Sequence, residues 1–331
     1  MKEEFDFIAV GDIVGDVFIH LKNAEVHCRI DSEKCEICMN FGDKIPYEFA
    51  EECMAVGNSP NASVSASRLG LKTALVSNLG DDTIGKRCLA TLEHEKVATN
   101  FVSVHGGMQT NYHYVLWFQD DRTILIKHYD YPYRLPDIGN PKWIYLSSLG
   151  EESLPYHLEI LSYLQTHSSI KLSFQPGTFQ IKLGSEKLKR LYEHCELFFC
   201  NKQEAQRILG NREENMSRLL RDIHALGPKI PVITDGVKGA YTYDGKAMWF
   251  MPPYPDPKPP LERTGAGDSF ASALTSFLAL ELPLEEALLR APINSMSVVQ
   301  YVGAQKGLLT REKIEEYLKK APSNYRPAKI G

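Results

Sequence analysis

The sequence predicts an α/β protein in which a mostly parallel central sheet carries helices on both faces. Three observations point there. Short apolar runs recur along the chain, segments of helical period separate them, and the part after Gly267 is nearly all helical. The 331 residues allow two domains or one large one, and 43% apolar with 24% charged residues is the profile of a globular chain.

The first strand is read at residues 5–10, running into Gly11-Asp12. Further buried strands are read at 73–77, 143–147, 170–174, 197–200 and 231–234. Helices are expected at 84–95, 154–167, 202–209 and 218–226, then through 267–280, 284–290, 293–302 and 311–320. Two stretches break the alternation. Residues 20–55 are polar, cysteine-rich and weakly periodic. Residues 111–128 read as two alternating strands turning at Gln119-Asp120-Asp121-Arg122, a hairpin signal. The expected organisation is therefore an α/β core from 1–16, 56–104 and 131–331, with a small β-lid from 17–55 and 105–130. A stiff loop at 251–260, with six prolines, feeds the most informative segment.

Composition excludes several classes. With 37 Lys and Arg against 42 Asp and Glu, the formal charge is −5, which argues against nucleic acid or anionic membrane as partner. No run of about 18 apolar residues is present to span a membrane. Met1–Phe5 opens no apolar leader, so the chain reads as cytoplasmic. Of seven cysteines, Cys88, Cys195 and Cys200 lie in apolar stretches and are expected to be buried thiols. Cys35-x-x-Cys38 beside His27 and Cys28 has the spacing to place two sulfurs on zinc, but a second knuckle is missing. A solvent-facing or lid-packing role is the preferred reading.

The informative segment is Glu262-Arg263-Thr264-Gly265-Ala266-Gly267-Asp268-Ser269-Phe270. Small residues at a helix start leave backbone N–H groups bare, and such a terminus attracts an anion. An Asp in the same turn repels a phosphate, but makes sense as a base for an attacking hydroxyl. The plainer alternative is that Asp268 caps the helix. A second segment runs from Val56-Gly57-Asn58-Ser59-Pro60-Asn61 to Gly80-Asp81-Asp82. There Gly57 lets backbone approach a ligand, and Asn61 offers donor and acceptor to hydroxyls. Gly80-x4-Gly85-Lys86 fails as a P-loop because Arg87 stands where Ser or Thr would hold Mg²⁺. Gly11-x3-Gly15 lacks the spacing of a dinucleotide fold.

Together, Gly57–Gly80 and Thr264–Asp268 resemble the two signature regions of the ribokinase-like, or PfkB, carbohydrate and nucleoside kinases. The likeness runs from about residue 6 to 310 and is weakest in 20–55. It implies a ribokinase-like three-layer α/β/α fold and an ATP- and Mg²⁺-dependent transfer of the γ-phosphoryl group to a hydroxyl of a small sugar. The alternatives are a purine nucleoside kinase of the same family and a non-catalytic nucleotide- or sugar-binding regulator. By the resemblance, Asp268 matches the base, and the amides of Gly265, Ala266 and Gly267 match the anion hole. Asp16, Gly57 and Asn61 match substrate contacts. Asn201 and Glu204 match the Asn-x-x-Glu motif, with Glu204 holding Mg²⁺ through water, although a capped helix start explains the same tetrapeptide. Thr234, Gly236 and Gly239 match the nucleotide loop, and Asn294 falls where relatives flank the purine. Glu262 and Arg263 depart from the usual Asp-Thr, which leaves a monovalent-cation requirement open. Phe101, Tyr112 and Tyr114 are candidates to stack on a base. Tyr112, Tyr114, Trp117 and Phe118 are read either as the packed face of the hairpin or as a homodimer interface through the lid.

Overall fold

The computed structural model describes residues 4–28, 35–119 and 121–330. The opening Met1-Lys2-Glu3, the 29–34 part of the first insertion and Asp120 of the predicted turn lie outside them. The core is an eleven-stranded sheet. Strand Phe7–Val10 lies between Thr73–Gly80 and Trp143–Leu146, parallel to both. Beyond Trp143–Leu146, parallel pairing continues through Lys171–Phe174, Cys195–Asn201 and Ile230–Thr234. Ala240–Tyr243, Met248–Met251 and Ala328–Lys329 extend that side antiparallel. The predicted parallel strands all occur, most within two residues of their expected ends. Ala240–Tyr243 and Met248–Met251 fall where the periodicity assigns nothing, since neither contains a Val, Ile or Leu.

Two apolar layers enclose the sheet. One is built with helices Asn58–Arg68, Thr83–His94, Ala266–Ala279 and Leu284–Val298, the other with Leu154–Thr166, Ser185–His194 and Met216–Ala225. Asn58–Arg68 buries Ser59, Ala62, Ser63, Ser65 and Ala66. These short side chains let it lie close to Ala266–Ala279, which is what brings Asn58 and Asn61 to Asp268. Leu284–Val298 is one helix, not the two expected on either side of Pro292. Pro292 forfeits one backbone bond, but the buried Ala287, Leu288, Ala291 and Ile293 hold the helix against its neighbours.

A second sheet of four strands, Asp121–Lys127, Tyr112–Phe118, Val14–Leu21 and Tyr47–Val56, forms the lid. It starts at Val14, so Asp16 sits at the seam between lid and core. Trp117 packs with Phe18, Val115 and Val302, and Tyr112 lies against Gly15, whereas Tyr114 is exposed. Glu25–Cys28 and Cys35–Cys38 form a separate hairpin joined by a Cys28–Cys35 disulfide. The Cys35 sulfur is thereby committed to Cys28 and not free to act with Cys38. Cys88, Cys195 and Cys200 are buried, and burial pushes their thiols up, Cys88 to about 12.

Candidate active site

The strand order reverses around Phe7–Val10, and in such sheets ligands bind beyond the carboxyl ends of the strands at that reversal. Asp12 follows the first strand, Gln175 follows Lys171–Phe174, Asn201 ends Cys195–Asn201 and Thr234 ends Ile230–Thr234. A cleft of about 760 Å³ opens there, within the usual range for small-molecule sites.

Asp268 is the third residue of Ala266–Ala279 and lines this cleft. Its Oδ1 accepts from Asn58 Nδ2 at 2.7 Å and Gln175 Nε2 at 3.0 Å, and its Oδ2 accepts from Asn61 Nδ2 at 2.8 Å. The orienting amides are themselves fixed. Gln305 donates to Asn61 Oδ1 at 3.0 Å, and the buried Tyr145 hydroxyl donates to Gln175 Oε1. Asp268 therefore does more than cap a helix: three side-chain amides aim it into the cleft. Asn58 and Gln175 are site residues that the sequence reading did not assign. Asn58 follows the quoted Gly57, and Gln175-Pro-Gly177 ends a predicted strand, a place where loops carry function.

Gly265 begins the helix with φ +79°, and a Cβ there would lie 2.4 Å from Ala304 Cβ. Among the described residues the N–H groups of Gly265 and Gly267 have no acceptor, whereas the Ala266 N–H reaches Arg263 O at 3.4 Å. The bare donors are thus Gly265 and Gly267. Glu262 is buried and joins two loops, its Oε2 accepting from Thr264 N at 2.6 Å and its Oε1 from Gly303 N at 2.9 Å. Arg263 is exposed and lines the cleft.

Asn201, Glu204, Thr234, Gly236 and Gly239 line the far side of the same cleft. Asn201 and Glu204 also form a reciprocal helix cap, each side chain accepting from the other's N–H at 2.8 Å. The cap uses Glu204 Oε2, and Oε1 has no donor among the described residues. Burial pushes the Glu204 carboxyl up, the Asn201 N–H and Arg207 oppose this, and the charge of Asp268 adds to it. A carboxyl raised in the folded state costs stability as pH climbs from its unfolded value through the raised range. Glu204→Gln, which keeps the cap, is therefore expected to melt higher than wild type at pH 7.5 and no higher at pH 4. Thermal scans at both values check this, and a gain of equal size at pH 4 would remove the explanation.

Asn294 is corrected. It is fully buried, donates to Ser65 Oγ and Ser269 O, and accepts from Leu309 N, so its amide braces helices instead of facing the cleft. Phe101 is also misplaced as a stacking group. It packs edge-on against Phe5 in the other apolar layer.

At the seam, Asp16 is buried and its Oδ1 has no hydrogen-bond partner. His113 Nδ1 lies 3.3 Å from that oxygen, and His113 Nε2 meets His128 Nε2 at 3.2 Å. His128 Nδ1 in turn lies 3.7 Å from Asp12 Oδ2. The Tyr133 hydroxyl donates to both Asp12 oxygens at 2.9 and 3.0 Å. Gly57, at φ +118°, passes so close that a Cβ would lie 2.8 Å from Asp12 O. Asp12, His113, His128 and Tyr133 went unassigned in the sequence because they meet only when the lid folds back on the core.

A model of the pfkB family carbohydrate kinases matches residues 23–311. The chain belongs to that family. It is 27% identical over 270 residues to a ribokinase of Bacillus subtilis (strain 168), covering 79% of this chain and 87% of that one. It is 25% identical over 280 residues to a nucleoside kinase of Methanothermobacter thermautotrophicus, covering 82% and 81%. The solved Arabidopsis thaliana ribokinase complexed with ribose and ATP shares the fold, with TM-score 0.77, 18% identity and coverage of 96% and 99%. The chain is thus a carbohydrate or nucleoside kinase of ribokinase-like fold, a phosphotransferase with a hydroxyl acceptor. Kinases of this family use ATP with Mg²⁺. Among the described residues no helix is long and apolar enough to cross a membrane.

Proposed function

We propose that this kinase transfers the γ-phosphoryl group of ATP to a hydroxyl of a small sugar, with Asp268 as the base. The observation that carries the reading is Asp268, held by Asn58, Asn61 and Gln175 beside the bare N–H groups of Gly265 and Gly267. The residues fit ATP with Mg²⁺: Glu204 keeps a free oxygen, and Glu204 and Asp268 oppose each other's charge in one cleft, which a divalent cation relieves. When bound, that pair supplies the transferable group. Asp268 takes the proton of the acceptor hydroxyl, and the two N–H groups donate where charge gathers on the moving group. Asp16, whose Oδ1 faces His113 at 3.3 Å, and Asn61 hold the acceptor's other hydroxyls. Thr234, Gly236 and Gly239 border the nucleotide, and Glu204 holds the hydrated cation. A cysteine nucleophile is not needed: burial raises the Cys53 and Cys88 thiols to about 12. Transfer is direct.

A nucleoside acceptor is the second reading, favoured by the match to a nucleoside kinase at nearly the same identity as the ribokinase. ATP consumption over pentoses, hexoses and nucleosides, with Asp268→Asn as control, separates the two. Nucleosides alone being consumed overturns the sugar reading, and consumption of none with intact ATP binding supports a regulator.

We further propose a homodimer through the lid. Strand Asp121–Lys127 is an unpaired edge carrying exposed Ile124, Leu125 and Ile126, an arrangement that monomers avoid. Sedimentation is expected to show a dimer that Ile126→Lys converts to monomer; a wild-type monomer at about 100 μM, where a Kd of about 1 μM would leave most chains paired, contradicts it.

A further inference from the structure

Behind Asp12 lies a second cavity, of about 320 Å³, that the transfer chemistry does not use. Its walls are Tyr129, Tyr131, Tyr133, Tyr156 and Phe179, with His128 on the side of the seam. Three of the four tyrosine hydroxyls are committed elsewhere. Tyr129 donates to Gln109 Oε1, Tyr131 to Gln109 O and Tyr133 to Asp12. Ring carbon is therefore what these residues present to the space. Tyr133 and Tyr156 are stacked on one another, with centroids 5.3 Å apart and planes 13° from parallel, which fixes both rings as a rigid part of that wall.

The rim carries Asp130, Glu151 and Glu152, and no Lys or Arg lines the cavity. Two lysines lie outside it: Lys182 pairs with Glu151 at 2.5 Å, and Lys127 sits 4.9 Å from the centroid of Tyr129. Asp130 and Glu152 have no ion-pair partner among the described residues. Aromatic walls below unpaired carboxylates are the arrangement that recognises an organic cation, since ring faces and carboxylates both attract positive charge. A neutral or anionic group gains nothing from the rim.

The cavity adjoins the acceptor site through shared residues. His128 and Tyr133 line it, and both contact Asp12. His128 also meets His113, which faces Asp16. We propose that this kinase's acceptor carries an amine-bearing arm, and that the arm's ammonium group occupies this cavity while Asp16 and Asn61 hold the hydroxyls. The proposal rests on the acceptor-kinase reading above for the position of the hydroxyl end. A volume of about 320 Å³ has ample room for a short aminoalkyl group.

The test uses the full chain and matched ribosides and glucosides, each bearing either a 2-aminoethyl or a 2-hydroxyethyl group on the anomeric oxygen. Calorimetric binding and ATP turnover are both measured. The expected result, on at least one sugar core, is at least tenfold tighter binding of the amine. That ratio is expected to fall below twofold in Asp130→Asn/Glu152→Gln, whose side chains are exposed at the rim, and in Phe179→Ala. Equal affinity of the two members on both cores, absence of binding by either, or a ratio unmoved by the rim variant overturns the proposal. Turnover of neutral acceptors without amine preference sinks this inference and leaves the kinase reading. Amine-selective binding without any ATP turnover does the reverse.

Discussion

Asp268→Asn is expected to lower kcat by about 10³-fold while ATP still binds, within the range that loss of a general base produces. The argument is geometric. Both oxygens of Asp268 accept, from Asn58, Gln175 and Asn61, so the site has been built around a group with acceptors on both sides. An amide at 268 turns one acceptor into a donor facing another donor. It also removes the group proposed to take the proton. Turnover within tenfold of wild type would eliminate Asp268 as base, and an unchanged melting temperature would place the loss in chemistry rather than in folding.

Gly265→Ala is the second large effect. The residue sits at φ +79°, where a side chain costs about 1–2 kcal/mol, and its Cβ would lie 2.4 Å from Ala304 Cβ and 2.6 Å from Ala304 Cα. The obstacle is backbone, so the helix start must move and carry the N–H of residue 265 with it. A drop in kcat of about 10²- to 10³-fold is expected, the usual result of losing one such donor, with a clear fall in melting temperature. Gly267→Ala is the control for stability. A Cβ there meets only Gln175 Nε2, at 3.9 Å, so its melting temperature should stay near wild type. If Gly265→Ala turned over like wild type, the helix start would not be the anion site.

Much of the fold is legible because its parallel strands are short and centred on apolar residues, and its helices carry clear caps or periods. Helix Lys202–Leu209 is the simplest example: Asn201 and Glu204 mark its start, and Gly210 marks its end. The antiparallel strands Ala240–Tyr243 and Met248–Met251 escaped because neither holds a Val, Ile or Leu, the residues that mark the buried strands. In the site, Asp268 and Gly265 stand out because local chemistry explains them. Asn58 and Gln175 do not, since an amide acquires meaning only from what it faces, and each faces Asp268 across a large gap in sequence. Asn294 shows the opposite error. Its position in a motif suggested a ligand, whereas its three hydrogen bonds are spent on Ser65, Ser269 and Leu309. His113 and His128 carry no local signal at all, because lid register alone brings them together.

The amide clasp on Asp268 also says when the enzyme can exist. Asn58 and Asn61 lie 210 and 207 residues before the carboxylate they hold. Chain growth at about 5–20 residues per second therefore releases the two halves of the clasp at least ten seconds apart. A chain cut before residue 268 has Asn58 and Asn61 but nothing to aim, and one whose helix Asn58–Arg68 has come loose leaves the carboxylate held by Gln175 alone. Asp268 is consequently aimed only once the chain from helix Asn58–Arg68 to helix Ala266–Ala279 has closed on itself.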